Sequence, residues 1–203
     1  MEIMCVLKSG GCYTPEYVDK LFNSISRNTT TEFSFTCLTD VQWSSTYICI
    51  PLLHDWEGWW SKIEAFNYTN VLYIDLDTVI VDNIDKLLSL PSLLNGNEIF
   101  MMKAANPNRS FTTSIMAWND MRYVYDNFLY PEDLSYQWDQ YYVLSMLEYN
   151  KTRIRSIQNE VPGIHSYKRE WLPNHPLNSC IVWFHGKPRL HKCDERFVKR
   201  HWR

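Results

Sequence analysis

Residues 71 to 88 read VLYIDLDTVIVDNIDKLL. Val71, Leu72, Tyr73 and Ile74 have the β-branched and aromatic content of a buried strand, and Ile84 to Leu88 reads as the start of a helix. Asp75 and Asp77 therefore fall at the carboxyl end of a strand. Carboxylates there are costly unless a cation or hydrogen-bond donors meet them. In open α/β sheets that edge is also where ligands collect. A D-x-D spacing, with side chains alternating along an extended chain, lets two carboxylates share a hard divalent ion directly or through water. A turn in which Asp caps the next helix is the plainer alternative. It suits Asp82 and Asp85, which sit nearer the helix start.

The rest of the chain alternates in the same way. Strands are predicted at Ile3 to Lys8, Phe33 to Leu38, Tyr47 to Ile50, Glu98 to Lys103, Thr113 to Trp118, 153 to 158 and Cys180 to His185. A helix opens at Thr14-Pro15-Glu16, with Thr14 as cap, Pro15 in the first turn, and Tyr17, Val18, Leu21, Phe22 and Ile25 as one apolar face. Further helices are predicted at Glu57 to Phe66, which is Trp-rich, and near 84 to 90, 119 to 129 and 137 to 149. Neither repeat nor linker interrupts the pattern. At 203 residues the chain reads as one α/β unit with a mixed sheet.

A net charge of −3 gives no global case for binding nucleic acid. Nine Trp and thirteen Tyr fill a core first, and they also supply platforms for bases and sugar rings. Cysteines 5, 12, 37, 49, 180 and 193 show no C-x-x-C spacing, and most lie in strand-like runs as small hydrophobes. No signal peptide and no membrane span are read, so cytoplasm is the expected compartment. The sequons at Asn28, Asn67, Asn108 and Asn150 would then go unused.

The D-x-D stretch resembles that of metal-dependent nucleotide-sugar glycosyltransferases with the GT-A fold, in particular the glycogenin-like retaining branch. Other islands follow in that family's order. CVLKSGGCYTPEYVDKLFNSI resembles the nucleotide-binding strand and helix, FTCLTD the second strand, and GWWSKIEAF the helix that brings a lysine to the donor. TTSIMAWN resembles the strand after the metal site, WDQYYV the aspartate-glutamine helix start, and IVWFHGKPRLH the late histidine-glycine-lysine segment. The set also resembles glycosyltransferase domains of large DNA viruses of algae, in which case the cytoplasm would be the host's. Two departures stand out: Thr112-Thr113-Ser114 where relatives often carry an asparagine-serine pair, and Trp183 where a histidine precedes the Phe, so that the histidine here is His185.

The resemblance implies one Rossmann-like GT-A domain over 1–203, with a central mixed, mostly parallel sheet flanked by helices. Residues 1–105 would form the nucleotide-binding part, 106–190 the acceptor and metal-completing part, and 191–203 a basic end leading to a solvated helix or further domains. It implies transfer of a sugar, with retention, from a UDP-sugar to a hydroxyl of a glycan acceptor. Asp75, Asp77 and His185 would hold Mn2+, with Mg2+ as the alternative, since imidazole beside carboxylates favours manganese. Val6, Leu7, Lys8, Asp40, Lys62, Asp75, Leu76, Gly186 and Lys187 would bind the nucleotide sugar. Asp139 and Gln140 would be the catalytic pair facing the transferring sugar, Asp139 stabilising an oxocarbenium-like transition state or acting as nucleophile and Gln140 bonding the ring. Trp59 and Trp60 read as core and rim packing. Two rivals use the same acids: a haloacid-dehalogenase-like phosphatase, with Asp75 as nucleophile and Asp77 as general acid, and a sugar-nucleotide-binding module without turnover.

Overall fold

A computed structural model of the chain describes residues 1–106 and 108–203. Its strands are β1 Glu2–Leu7, β2 Ser34–Thr39, β3 Ile48–Pro51, β4 Val71–Ile74, β5 Thr78–Ile80, β6 Glu98–Lys103, β7 Phe111–Trp118, β8 Arg153–Ser156, β9 Ile164–Ser166 and β10 Ile181–Trp183. Seven of them form one sheet in the order β3-β2-β1-β4-β7-β6-β8, and β5, β10 and β9 form a second. In the large sheet β3, β2, β1 and β4 run parallel and β8 parallels β6, while β7 is antiparallel to β4 and β6. The sheet is mixed and mostly parallel, as expected.

Strand alternation divides the core between the two faces of that sheet. Ile3, Cys5, Leu7, Leu72, Ile74, Ile115 and Ala117 pack on one face with α1 (Pro15–Arg27), α2 (Asp85–Leu88) and the small sheet. Met4, Val71, Tyr73, Met116 and Trp118 pack on the other with the 3-10 run Gly58–Asn67, α3 (Arg122–Asp126) and α4 (Asp139–Tyr149). Helix α1 buries Tyr17, Val18, Leu21 and Ile25, each apolar side chain contributing roughly 1.5–3 kcal/mol.

Several expectations need correction. The Trp-rich segment is a 3-10 run rather than an α-helix, and the helix at 119 to 129 contracts to Arg122–Asp126. Thr14 has the extended backbone of a cap, but its side chain makes no capping bond. Ile84, not an acid, holds the cap position of α2. Asp85 instead accepts from Thr29, Thr30, Thr31 and Asn83, which tie the end of α1 to the start of α2 and pull its pKa well below the carboxylate range. The basic end carries a short, largely exposed helix, as expected. Its helix Arg196–His201 buries Val198, and Trp202 packs edge-on against Tyr17 with Lys20 over its ring. All six cysteines are unpaired, and among the described residues no helix is long and apolar enough to cross a membrane.

Candidate active site

Asp75 directly follows β4, between β1 and β7 near the middle of the sheet, and its N–H is held by the Ser114 carbonyl at 2.8 Å. The chain then turns at Leu76-Asp77 and leaves as β5, so the two acids take their partners from opposite layers. On the 3-10 side, Lys62 Nζ lies 2.8 Å from Asp75 Oδ1 and the Tyr73 hydroxyl donates to the same oxygen at 2.9 Å. On the α1 side, the Tyr13 hydroxyl donates to Asp77 Oδ2 at 2.8 Å, and Arg189 Nη1 stands 3.5 Å from that oxygen while donating to Tyr13 at 2.6 Å.

Both acids face a cavity of about 350 Å³, whose wall also carries Val6, Lys8, Lys62, Leu76, Tyr13 and Arg189. Lys8, Lys62 and Arg189 bring cationic donors to the same wall, Lys8 also paired with Asp40 and Asp55 and Lys62 with Asp139. Burial, then the charge of Asp75, pushes the Asp77 carboxyl up to about 7. Asp75 is also raised by burial, although Lys62 opposes the shift. The Lys62 ammonium is disfavoured by burial, but Asp139 and Asp75 keep its pKa above the ordinary lysine value.

Lys62 links the cavity to what lies behind it. Its Nζ is 3.3 Å from Asp139 Oδ2, which also accepts from the Thr113 hydroxyl at 2.7 Å. Asp139 and Gln140, at the start of α4, are buried behind the lysine and do not line the cavity. Among the described residues Gln140 Nε2 has no hydrogen-bond partner, an arrangement that costs about 1–3 kcal/mol until something accepts from it.

The other expected residues divide. Val6 and Lys8 reach the cavity, whereas Leu7, one step along the same strand, is buried on the opposite face. Asp40 lines a neighbouring cavity, where Ser9 N–H at 2.8 Å, Ser9 Oγ at 2.6 Å and Lys8 at 3.0 Å occupy its carboxylate. Burial would raise its pKa, but these bonds hold it at about 2. Gly186 and Lys187 lie off the cavity wall. Gly186 has φ +67, and a Cβ there would meet Lys168 Nζ at 3.2 Å. The cation that IVWFHGKPRLH delivers to the acids is Arg189. Neither Arg189 nor Tyr13 was read as a site residue; their only signal was membership of the two islands that resemble the nucleotide and late segments.

As donors for a metal, Asp75 and Asp77 fit in part. They are two largely buried carboxylates on one cavity, and Asp77 is short of positive charge, as suits a hard cation. His185 is brought close only through the backbone, since Phe184 N–H donates to the Asp77 carbonyl at 2.8 Å. Its Nε2 pairs with Ser166 Oγ at 2.9 Å, and burial, with Lys168 and Arg169, lowers its pKa. Among the described residues no group of three His, Cys, Asp or Glu side chains is already gathered as a ligand set.

No protein-family model and no curated protein sequence matches the chain. Solved structures do. The glycosyltransferase GlyE of Streptococcus pneumoniae TIGR4 superimposes with a TM-score of 0.71 at 11% identity, over 99% of this chain and 60% of that one. The galactosyltransferase LgtC, in complex with donor and acceptor sugar analogues, gives 0.62 at 12% identity, over 98% of this chain and 93% of its own. The bifunctional glycosyltransferase WbbM gives 0.61 at 12% identity, over 93% and 46%. The chain thus spans about three-fifths of GlyE and nearly all of LgtC. At such identities the likeness is one of architecture, and that architecture is the single α/β domain of GT-A-type glycosyltransferases.

Proposed function

We propose that the protein is a divalent-metal-dependent glycosyltransferase that moves a sugar, with retention, from a UDP-linked donor to a hydroxyl of a glycan acceptor. One observation carries the reading: at the carboxyl edge of the sheet, Asp75 and Asp77 share a cavity with Lys8, Lys62 and Arg189, and Lys62 connects them to Asp139. The leaving group of such a transfer is a diphosphate whose negative charge grows in the transition state, and fixed cations facing it lower the barrier. Arg189 and Lys62 supply that charge from opposite layers.

Asp75 and Asp77 would hold the metal, and His185, kept neutral by its surroundings and next to Phe184, whose N–H bonds the Asp77 carbonyl, would complete the set. When bound, the ion would neutralise the diphosphate. Val6 and Lys8 form the end of the cavity next to the β1–β2 edge, which is assigned to the nucleoside. Asp40 acts there by fixing the loop through Ser9 and Lys8. Asp139 holds Lys62 charged and aimed at Asp75, and the unpaired amide of Gln140 is reserved for a sugar hydroxyl.

The test is a panel of nucleotide sugars incubated with the protein and manganese, scored for released nucleoside diphosphate. Release from a UDP-sugar, abolished by chelator, is expected. Equal nucleotide binding and no release with or without metal would refute the reading.

A further inference from the structure

Two tryptophans remain half in water beside this cavity. Trp59 is 48% exposed and Trp138 is 43% exposed, with ring centroids 5.0 Å apart and planes inclined by 34°. They come from different elements, Trp59 from the 3-10 run Gly58–Asn67 and Trp138 from the extended residue before α4. Their neighbour Trp60 is buried against Phe128, so the local sequence can sequester an indole when the core needs one. Tyr149, exposed at 81%, has no aromatic neighbour among the described residues. The pairing of Trp59 with Trp138 is therefore not the general condition of surface aromatics in this chain.

Position gives the pair its meaning. Residues three apart on a 3-10 run eclipse one another, so Trp59 stands over Lys62, and Trp59 itself lines the cavity. Trp138 directly precedes Asp139, the second carboxylate against Lys62. The two indoles thus belong to the segments that carry Lys62 and Asp139 to their contact. Tyr141, three residues beyond Trp138, is also exposed, with the Arg109 guanidinium 5.5 Å from its ring centre. Flat, rigid rings with an apolar face and a polar edge suit a partner that is itself two-sided, with C–H groups on one face and hydroxyls around its rim. A pyranose has that character.

We infer that Trp59 and Trp138 form the platform on which the acceptor stacks a pyranose ring, placing its hydroxyl at the mouth of the cavity. The inference rests on the proposed transfer to a glycan and adds the surface that holds the acceptor, through a sugar ring with an accessible C–H face.

Saturation-transfer NMR tests it in one set of samples. The full chain is mixed with UDP, magnesium, which is diamagnetic, and, in turn, the methyl pyranosides of glucose, galactose, mannose, N-acetylglucosamine and xylose. At least one pyranoside should receive saturation on its ring C–H protons. Trp59→Ala and Trp138→Ala should each lower its affinity by about tenfold, the scale of losing one aromatic stack. Trp138→Phe should restore most of that loss, and Tyr149→Ala should have no effect. Circular dichroism establishes that each variant folds. If uracil protons are saturated but no pyranoside depends on the tryptophans, the platform is refuted and the donor reading stands. If the tryptophan variants lose the uracil signal instead, the pair serves the base and the inference fails. If the parent shows no uracil signal, the donor reading fails, while the pyranoside arm still decides the platform.

Discussion

Asp77 is the group whose removal says most about the site. In the metal-free protein its carboxyl titrates near 7 rather than 3.8, because burial and the neighbouring Asp75 outweigh Tyr13 and Arg189. Its side chain is 13% exposed, so water screens it little. For an acid raised by folding, the sign runs against the usual carboxylate. Below about pH 4 both states hold the proton and Asp77 imposes no penalty. Between about 4 and 7 the unfolded chain ionises while the folded chain keeps its proton, so stability falls as pH rises; above 7 the penalty is complete. At about 1.4 kcal/mol per pH unit, the displacement corresponds to an upper limit of roughly 4 kcal/mol. Asp75 and Asp77 titrate together, so this proton belongs to the pair.

Asp77→Asn keeps the shape and an acceptor for Tyr13 while removing the charge. In chelator it should match the parent near pH 4 and melt above it by roughly 10 °C at pH 8, given about 2–4 °C per kcal/mol for a chain of this size. Manganese should reverse the order by stabilising the parent and leaving the variant unchanged. Melting curves across that pH range, with chelator and with manganese, measure both effects. A difference between variant and parent that stays flat from acid to pH 8 in chelator would mean that Tyr13 and Arg189 already neutralise the charge. The case for a vacancy in charge beside Asp77 would then be lost.

Lys62→Met removes the only cation within bonding distance of both Asp75 and Asp139 among the described residues; it should destabilise by about 3–5 kcal/mol, the scale of breaking a buried pair, as denaturant titration at neutral pH would reveal. Asp139→Asn should leave UDP affinity by calorimetry near the parent's and lower the transfer rate by about two orders of magnitude or more; transfer close to the parent rate would reduce Asp139 to the first residue of a helix. His185→Ala should lower manganese affinity and erase the preference for manganese over magnesium, whereas Ser166→Ala, which only frees the imidazole, should not; if the two variants bind manganese alike, His185 is not a ligand.

What could be read from the sequence follows from how local each determinant is. The strands β1, β2, β4, β6 and β7 carry runs of apolar side chains on both faces of the sheet, so their existence was visible without knowing their neighbours. Strands β5 and β9 are three residues each, too short for any periodicity to show. They exist because β10 lies between them, Val182 opposite Val79 and alongside His165. The 3-10 form of Gly58–Asn67 was equally hidden, because its residues from Trp60 to Phe66 are buried all round and carry no helical stripe.

The acids and the lysine of the site were legible because a charge inside an apolar run is itself anomalous, whereas their partners were not. Tyr13 bonds to an acid 64 residues away and Arg189 returns from 112 residues beyond Asp77, pairings that only the assembled layers determine. The late cation was expected at Lys187. The chain instead turns at Gly186, whose positive φ sends the backbone past Lys168, and the guanidinium three residues later arrives at Asp77. That substitution has a chemical consequence. A guanidinium offers a planar, bidentate face to phosphate where an ammonium offers a point charge. Arg189 stands 3.5 Å from Asp77 in the free cavity without offsetting its burial, and it would turn towards the diphosphate if a metal took that carboxylate. Metal and nucleotide should then bind with positive coupling, each removing the partner that the other must leave, so calorimetry should find UDP tighter in manganese by more in the parent than in Arg189→Lys. Equal enhancement in both proteins would detach Arg189 from the diphosphate and leave it as a partner of Tyr13 alone.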